Sequence, residues 1–193
     1  MTLHPIIMPV AAPGHGLSGK EKVSRLSRLS REALRLSAEK SAMSLRELVK
    51  DKDDVPCPSN GCYWSVSHKS KCVAAVVSRS SIGIDIEEIR PRSELVYDVV
   101  ASDAEWSLNK ERSWYIFFRY WTAKEATLKA AGIGIGGLRK CRVISIPDEN
   151  HVLLNYRNNL FRVGQLLYRN HIVSVLQNDD EIEWGMIEDS RHS

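Results

Sequence analysis

Long apolar runs are missing from this sequence, and no stretch approaches the roughly 20 residues that a helical membrane span needs. The opening residues, Met1 to Val10, place no positive charge ahead of their short apolar run, which argues against a secretory leader and sets the expectation of a cytoplasmic protein. Cysteine is sparse: Cys57, Cys62, Cys72 and Cys141 show neither Cys-x-x-Cys spacing nor a companion His pair, so zinc and redox signatures are lacking and reduced thiols are expected. From Ser18 to Lys52 there are ten Lys or Arg against five Asp or Glu, yet no aromatic side chain is interleaved with them. A nucleic-acid surface built on base stacking is therefore not expected. No long-period repeat is found.

What is present suits a globular chain. At 193 residues, with 43% hydrophobic and 26% charged residues, the sequence is long enough for one domain, or two small packed halves, with a real core. Ser18 and Glu21 form a capping-box pattern for a first helix, on which Leu26, Leu29, Ala33 and Leu36 keep helical spacing while Lys20, Lys22, Arg25, Arg28, Arg31 and Arg35 crowd the other faces. Such a face is either solvated or ready to pair with phosphate. A further helix is expected over Ser44 to Lys50, then a Pro- and Asn-Gly-marked loop, and a strand from Cys62 delivering His68; helices are expected again over Glu94 to Val100 and, capped by Ser102, over Asp103 to Lys110.

Two stretches stand out. In the first, Val73 to Val77, a polar turn and Gly83-Ile84-Asp85-Ile86-Glu87 read as a hairpin whose second strand alternates faces. Ile82, Ile84 and Ile86 then face a core, and Asp85 and Glu87 sit about 7 Å apart on the opposite face. In the second, Trp114, Phe117, Phe118, Trp121 and Leu128 mark a helical apolar stripe that also carries Glu125, with Lys129 one turn further. A carboxylate on a core-facing stripe needs a cation or a metal, and Asp85, Glu87 and Glu125 converging without softer ligands suit Mg2+. Taken alone, the first stretch reads equally as a solvated strand face and the second as an ordinary Glu125–Lys129 helix pair.

Together, Gly-Ile-Asp-Ile-Glu and Trp121-Thr122-Ala123-Lys124-Glu125-Ala126, with Trp64-Ser65-Val66-Ser67-His68 upstream, resemble the signature of the 4'-phosphopantetheinyl transferase superfamily. The resemblance implies an α+β fold of two pseudo-symmetric halves, 1–79 and 80–193, in a monomer with coenzyme A in the cleft between them. It implies transfer of the 4'-phosphopantetheine arm of coenzyme A to a serine of an apo acyl or peptidyl carrier protein, releasing adenosine 3',5'-bisphosphate. Asp85, Glu87 and Glu125 would hold Mg2+, and Lys129 and His68, with Ser67, would contact the diphosphate. By loose alignment Lys20, Lys22 and Arg31 would hold the 3'-phosphate. Glu125 or, second, Glu87 would take the serine proton, and residues 94–110 would face the carrier.

The sequence departs from the surfactin-type pattern in lacking a Gly-Lys-Pro triplet before the Ser-His segment, and it has Lys69 where Ser usually follows His68. A catalytically degenerate binder of coenzyme A or carrier protein, and an unrelated Mg2+-dependent pyrophosphate enzyme, are the competing readings. Gly132 to Gly137 follows a helix and precedes a strand, the reverse of a nucleotide-binding loop, and reads as a helix cap and connector. Five strands between Cys141 and Ile187 are expected to back the site as an antiparallel sheet.

Overall fold

The computed structural model describes residues 1–11 and 18–188. In chain order come β1 (Thr2–Leu3), β2 (Ile6–Pro9), α1 (Gly19–Lys40), β3 (Tyr63–Lys69), β4 (Cys72–Ser78) and β5 (Ile84–Glu88). Two short helices follow, α2 (Tyr97–Val100) and α3 (Asp103–Trp106), and then the long α4 (Trp114–Ala130). The chain closes with β6 (Arg142–Asp148), β7 (His151–Tyr156), β8 (Asn159–Tyr168), β9 (His171–Leu176), β10 (Glu181–Ile182) and β11 (Gly185–Met186). The mixture is α+β, as expected.

Two sheets carry the architecture. One has the order β11-β2-β4-β3; the other, β5-β9-β8-β7-β6, is antiparallel throughout, and β1 pairs with β10 beside them. Strand β4 is buried along its whole length, which its continuous apolar run requires. Its Val73, Ala75 and Val77 pack with Ala33 and Leu34 of α1, while Ala74 and Val76 join Ile84, Ile86, Val173 and Val175 of the second sheet. The period-2 alternation of a single strand thus fastens α1 on one side and the second sheet on the other. The expected boundary at residue 79 does not divide the sheets, because β11 returns to pair with β2.

Helix α1 starts at the expected cap: Ser18 accepts from the Glu21 amide while the Glu21 carboxylate takes the Ser18 amide. Its buried line is Ser30, Ala33, Leu34, Ser37 and Ala38, and the basic side chains face outward. Helix α4 is different. Burial extends beyond the apolar stripe to Arg119, Tyr120, Thr122, Ala123 and Lys124, so this helix is enclosed on most sides.

Three expectations are corrected. The hairpin of Val73–Val77 with Gly83–Glu87 does not form, because both edges of β4 are taken by β2 and β3 and β5 pairs instead with β9. Gly83 is needed for that departure: a Cβ there would stand 1.9 Å from the carbonyl oxygen of Ala126 in α4. Second, residues 44–50 are not helical. Ala42 takes φ 50°, and the segment is held as irregular chain by Arg46 N donating to Ser59 Oγ and Asn60 Nδ2 donating to the Ser44 carbonyl. Third, the helix expected from Asp103 to Lys110 ends at Trp106, although its Ser102 cap is present with Glu105 completing the box.

Candidate active site

The edge strand β5 and helix α4 meet at Asp85. The pairing of Asp85 with Ser174 and of Glu87 with Ile172 fixes the strand, and alternation puts Gly83, Asp85 and Glu87 on the side facing α4. Lys129 Nζ donates to Asp85 Oδ1 at 2.7 Å and to the Ile84 carbonyl at 3.0 Å. Ser67 Oγ, from β3, donates to the same Asp85 oxygen at 2.8 Å. Lys69 Nζ lies 2.7 Å from Glu87 Oε1. Glu125 and Lys129, though four residues apart on one helix, form no ion pair: the lysine reaches across to the strand.

Glu125 is the unsettled member. Burial is the largest influence on it, and Asp85 and Glu87 add repulsion that Lys129 and Lys69 only partly offset, so its carboxyl is pushed up to about 7. His68 is driven below its usual range by burial and by Lys69, Lys129 and Lys50. Two buried oxygens, Asp85 Oδ2 and Glu125 Oε1, have no hydrogen-bond partner among the described residues. Buried polar atoms without partners carry a desolvation penalty, and two carboxylate oxygens in that condition fit a hard divalent ion. No group of three Asp, Glu, His or Cys side chains stands closely enough to enclose an ion among the described residues. Lys129 and Lys69 occupy the facing oxygens of Asp85 and Glu87 instead.

These groups line a cleft of about 310 Å3 that holds Ser67, His68, Lys69, Asp85, Glu87, Trp121, Glu125 and Lys129. A second cleft of about 510 Å3 shares Glu125, Lys129, Lys50 and Val66 with it and runs past Tyr63 and Trp64 to Asp53, Asp54 and Pro56. The three carboxylates, His68, Ser67 and Lys129 named from the sequence are therefore brought together. Lys20, Lys22 and Arg31 are not among the side chains lining either cleft; they are exposed on α1, with Arg31 in a separate depression beside Arg28 and Arg35. Lys50 had no expected role, yet it lines both clefts. No local signal marks it, since the chain around it is irregular.

The neighbour of Glu125 has another task. Lys124 is fully buried and donates at 2.6 Å both to Glu105 Oε1 and to the Val100 carbonyl. Glu105 also accepts from the amides of Ser102 and Val143. This pair ties α3 and β6 to α4. The signal for Glu105 was its place three residues after Ser102 in a capping box; nothing local showed that its partner would be Lys124.

No helix among the described residues is long and apolar enough to cross a membrane. Residues 81–175 match the family model described as the 4'-phosphopantetheinyl transferase superfamily. Among curated proteins the chain is 35% identical over 102 residues to 4'-phosphopantetheinyl transferase HetI of Nostoc sp., covering 47% of this chain and 41% of that protein. It is 35% identical over 77 residues to 4'-phosphopantetheinyl transferase psf-1 of Bacillus pumilus, covering 38% and 33%. It is also 34% identical over 95 residues to the L-aminoadipate-semialdehyde dehydrogenase-phosphopantetheinyl transferase of Schizosaccharomyces pombe, covering 46% and 37%. The matched stretch spans about two fifths or less of each of these relatives.

Proposed function

Residues 81–175 make this chain a member of the 4'-phosphopantetheinyl transferase superfamily, and we propose from that premise that it transfers the 4'-phosphopantetheine arm of coenzyme A to a serine of an apo acyl or peptidyl carrier protein. The observation that carries the reading is the pair of unpartnered buried oxygens, Asp85 Oδ2 and Glu125 Oε1, in a cleft that also holds Lys129 and His68. A site with that surplus of carboxylate is built to receive positive charge, and the donor's diphosphate is the group that brings a divalent ion with it.

In this reading Asp85, Glu87 and Glu125 hold Mg2+. The ion, when bound, supplies charge neutralisation to the diphosphate. Lys129 is held on Asp85 and Ile84, so its ammonium is preorganised toward the phosphate oxygens, and His68, kept neutral by its surroundings, donates a hydrogen bond there. The serine oxygen bonds to phosphorus, its proton passes to Glu125, and the bond to the leaving phosphate breaks to release adenosine 3',5'-bisphosphate. Glu125 suits the proton transfer because its carboxyl, at about 7, sits near neutral pH. The larger cleft, with Tyr63 and Trp64, accommodates the remainder of the donor. Lys20, Lys22 and Arg31 belong to the outer surface and offer complementary charge to an acidic carrier, so loading should slow as salt rises. The working unit is a monomer in the cytoplasm.

Intact-protein mass spectrometry of apo carrier proteins, incubated with the chain, coenzyme A and Mg2+, tests the reading. The expected result is a mass gain of one phosphopantetheine arm that vanishes with chelator and with Glu125→Ala. No gain across acyl and peptidyl carriers, with coenzyme A binding retained, would sink it.

A further inference from the structure

We infer that Lys50 is a donor-positioning residue, whose ammonium is held by Asp54 until a phosphate of the donor displaces that carboxylate. The inference rests on the transferase reading for the identity of the anion, while the loop, the clefts and the ion pair stand on geometry alone. Lys50 sits at the base of a closed loop. Cys57 N donates to the Val49 carbonyl at 2.9 Å, Asp51 N donates to the Val55 carbonyl at 2.9 Å, and Lys50 and Pro56 bridge the two arms. Asp51 Oδ1 accepts from the amides of Asp53 and Val55. Asp54 takes φ 64° with its amide on the Asp51 carbonyl, a conformation that Asp and Asn tolerate. The tip is thus held by Asp51 and by backbone. The Asp54 carboxylate bonds to Lys50 Nζ at 2.9 Å and to nothing else among the described residues.

Lys50 differs from the other lysines of the clefts in what holds it. Lys69 meets Glu87 and Lys129 meets Asp85, carboxylates whose side chains are 10% and 7% exposed and are fixed in the wall. Asp54 is 84% exposed, so its pair with Lys50 costs little to break and the freed carboxylate returns to water. Position favours the role as well. Lys50 lines the narrow cleft with His68 and Lys129, and it also lines the wide cleft, so it stands where the diphosphate end of the donor passes into the remainder. Among the described residues lining the wide cleft, Lys50 and Lys129 are the cations, against Asp53, Asp54 and Glu125. An anion entering there needs an ammonium free to turn to it. Exchanging Asp54 for phosphate supplies that ammonium and removes a like charge from the wall in one step.

The test is calorimetry of coenzyme A and of dephospho-coenzyme A, which lacks the 3'-phosphate, on the full chain at fixed Mg2+ and ionic strength. Lys50→Gln should weaken coenzyme A by about tenfold, and Lys50→Arg should bring it back to within about threefold, with the melting temperature unmoved in both. Asp54→Asn should tighten coenzyme A by about threefold, and Asp53→Asn, on the same loop without a lysine partner among the described residues, by less than about 1.5-fold. A lysine that only braced the loop would lose stability on removal, and freeing it from Asp54 would not tighten the donor. Loss against coenzyme A alone assigns Lys50 to the 3'-phosphate, and equal loss against both donors assigns it to the diphosphate; either upholds the inference. It is overturned if Lys50→Gln leaves both affinities unchanged, if Asp54→Asn weakens coenzyme A or merely matches Asp53→Asn, or if the unaltered chain binds no coenzyme A. The binding pattern without any carrier loading would sink the transferase reading and uphold the Lys50 role. Loading with the Lys50→Gln affinities unchanged would do the reverse.

Discussion

Lys124 and Glu125 are adjacent on α4, and their surroundings treat a buried charge in opposite ways. Lys124 is met by a carboxylate and a carbonyl, its partner Glu105 is met by two further amides, and the cluster closes on itself. Glu125 is left with a bare oxygen, a raised pKa and two carboxylate neighbours across a cleft. Satisfied charge inside a protein fixes architecture; charge left unsatisfied at a cleft is a reservoir for binding or chemistry. One residue of rotation along the helix separates the two.

The sharpest way to break this contrast is to neutralise each side in turn. Glu125→Gln is expected to lower carrier loading by about a thousandfold while the melting temperature at pH 8 stays at or above the original, because an ill-paired charge is removed. Glu87→Gln should lose less rate; equal losses would count against Glu125 as the proton acceptor. Lys124→Ala should do the converse, destabilising the fold by about 3–5 kcal/mol in urea titrations, since Glu105 is left buried without its counter-ion. If the double variant Lys124→Met with Glu105→Gln recovers most of that loss, the pair is architecture and nothing more.

Smaller effects sharpen the boundary between the clusters. Gly83→Ala forces β5 off the backbone of Ala126 and should cost about 1–3 kcal/mol in the same titration, with a drop in loading as Asp85 shifts from Lys129. The mildest effect is in acid. Burial alone would raise the Glu105 carboxyl, but Lys124 and the amides of Ser102 and Val143 outweigh it and hold it below the ordinary 4.5. Its contribution to stability is therefore complete above about pH 4.5 and is lost as pH falls through the lower folded value. Stability measured from pH 6 down to pH 3 should fall less steeply in Glu105→Gln; an unchanged slope would show that the pair does not govern this limb.

Much of this was legible in the residues. The Ser18–Glu21 and Ser102–Glu105 boxes mark helix starts through local hydrogen bonds, and the alternation in Gly83–Glu87 places Asp85 and Glu87 on one face of a strand whatever that strand pairs with. The spacing from Trp114 to Leu128 sets α4. Residues 44–50 misled because Leu45, Leu48 and Val49 imitate helical spacing while the segment is held by Arg46 N donating to Ser59 Oγ, Asn60 Nδ2 to the Ser44 carbonyl and Cys57 N to the Val49 carbonyl.

The sequence by itself determined periodicity, caps and the set of acidic groups, because those depend on neighbours within a few residues. Tertiary structure alone decided that β5 joins β9 once β4 has no free edge, and that Lys129 turns from Glu125 to Asp85. It also decided that Lys69 closes on Glu87 and that Glu125 is half-buried without a partner for one oxygen. Each of these depends on contacts 18 to 91 residues apart, where burial and the competition between partners set the energy and local pattern carries no record of either.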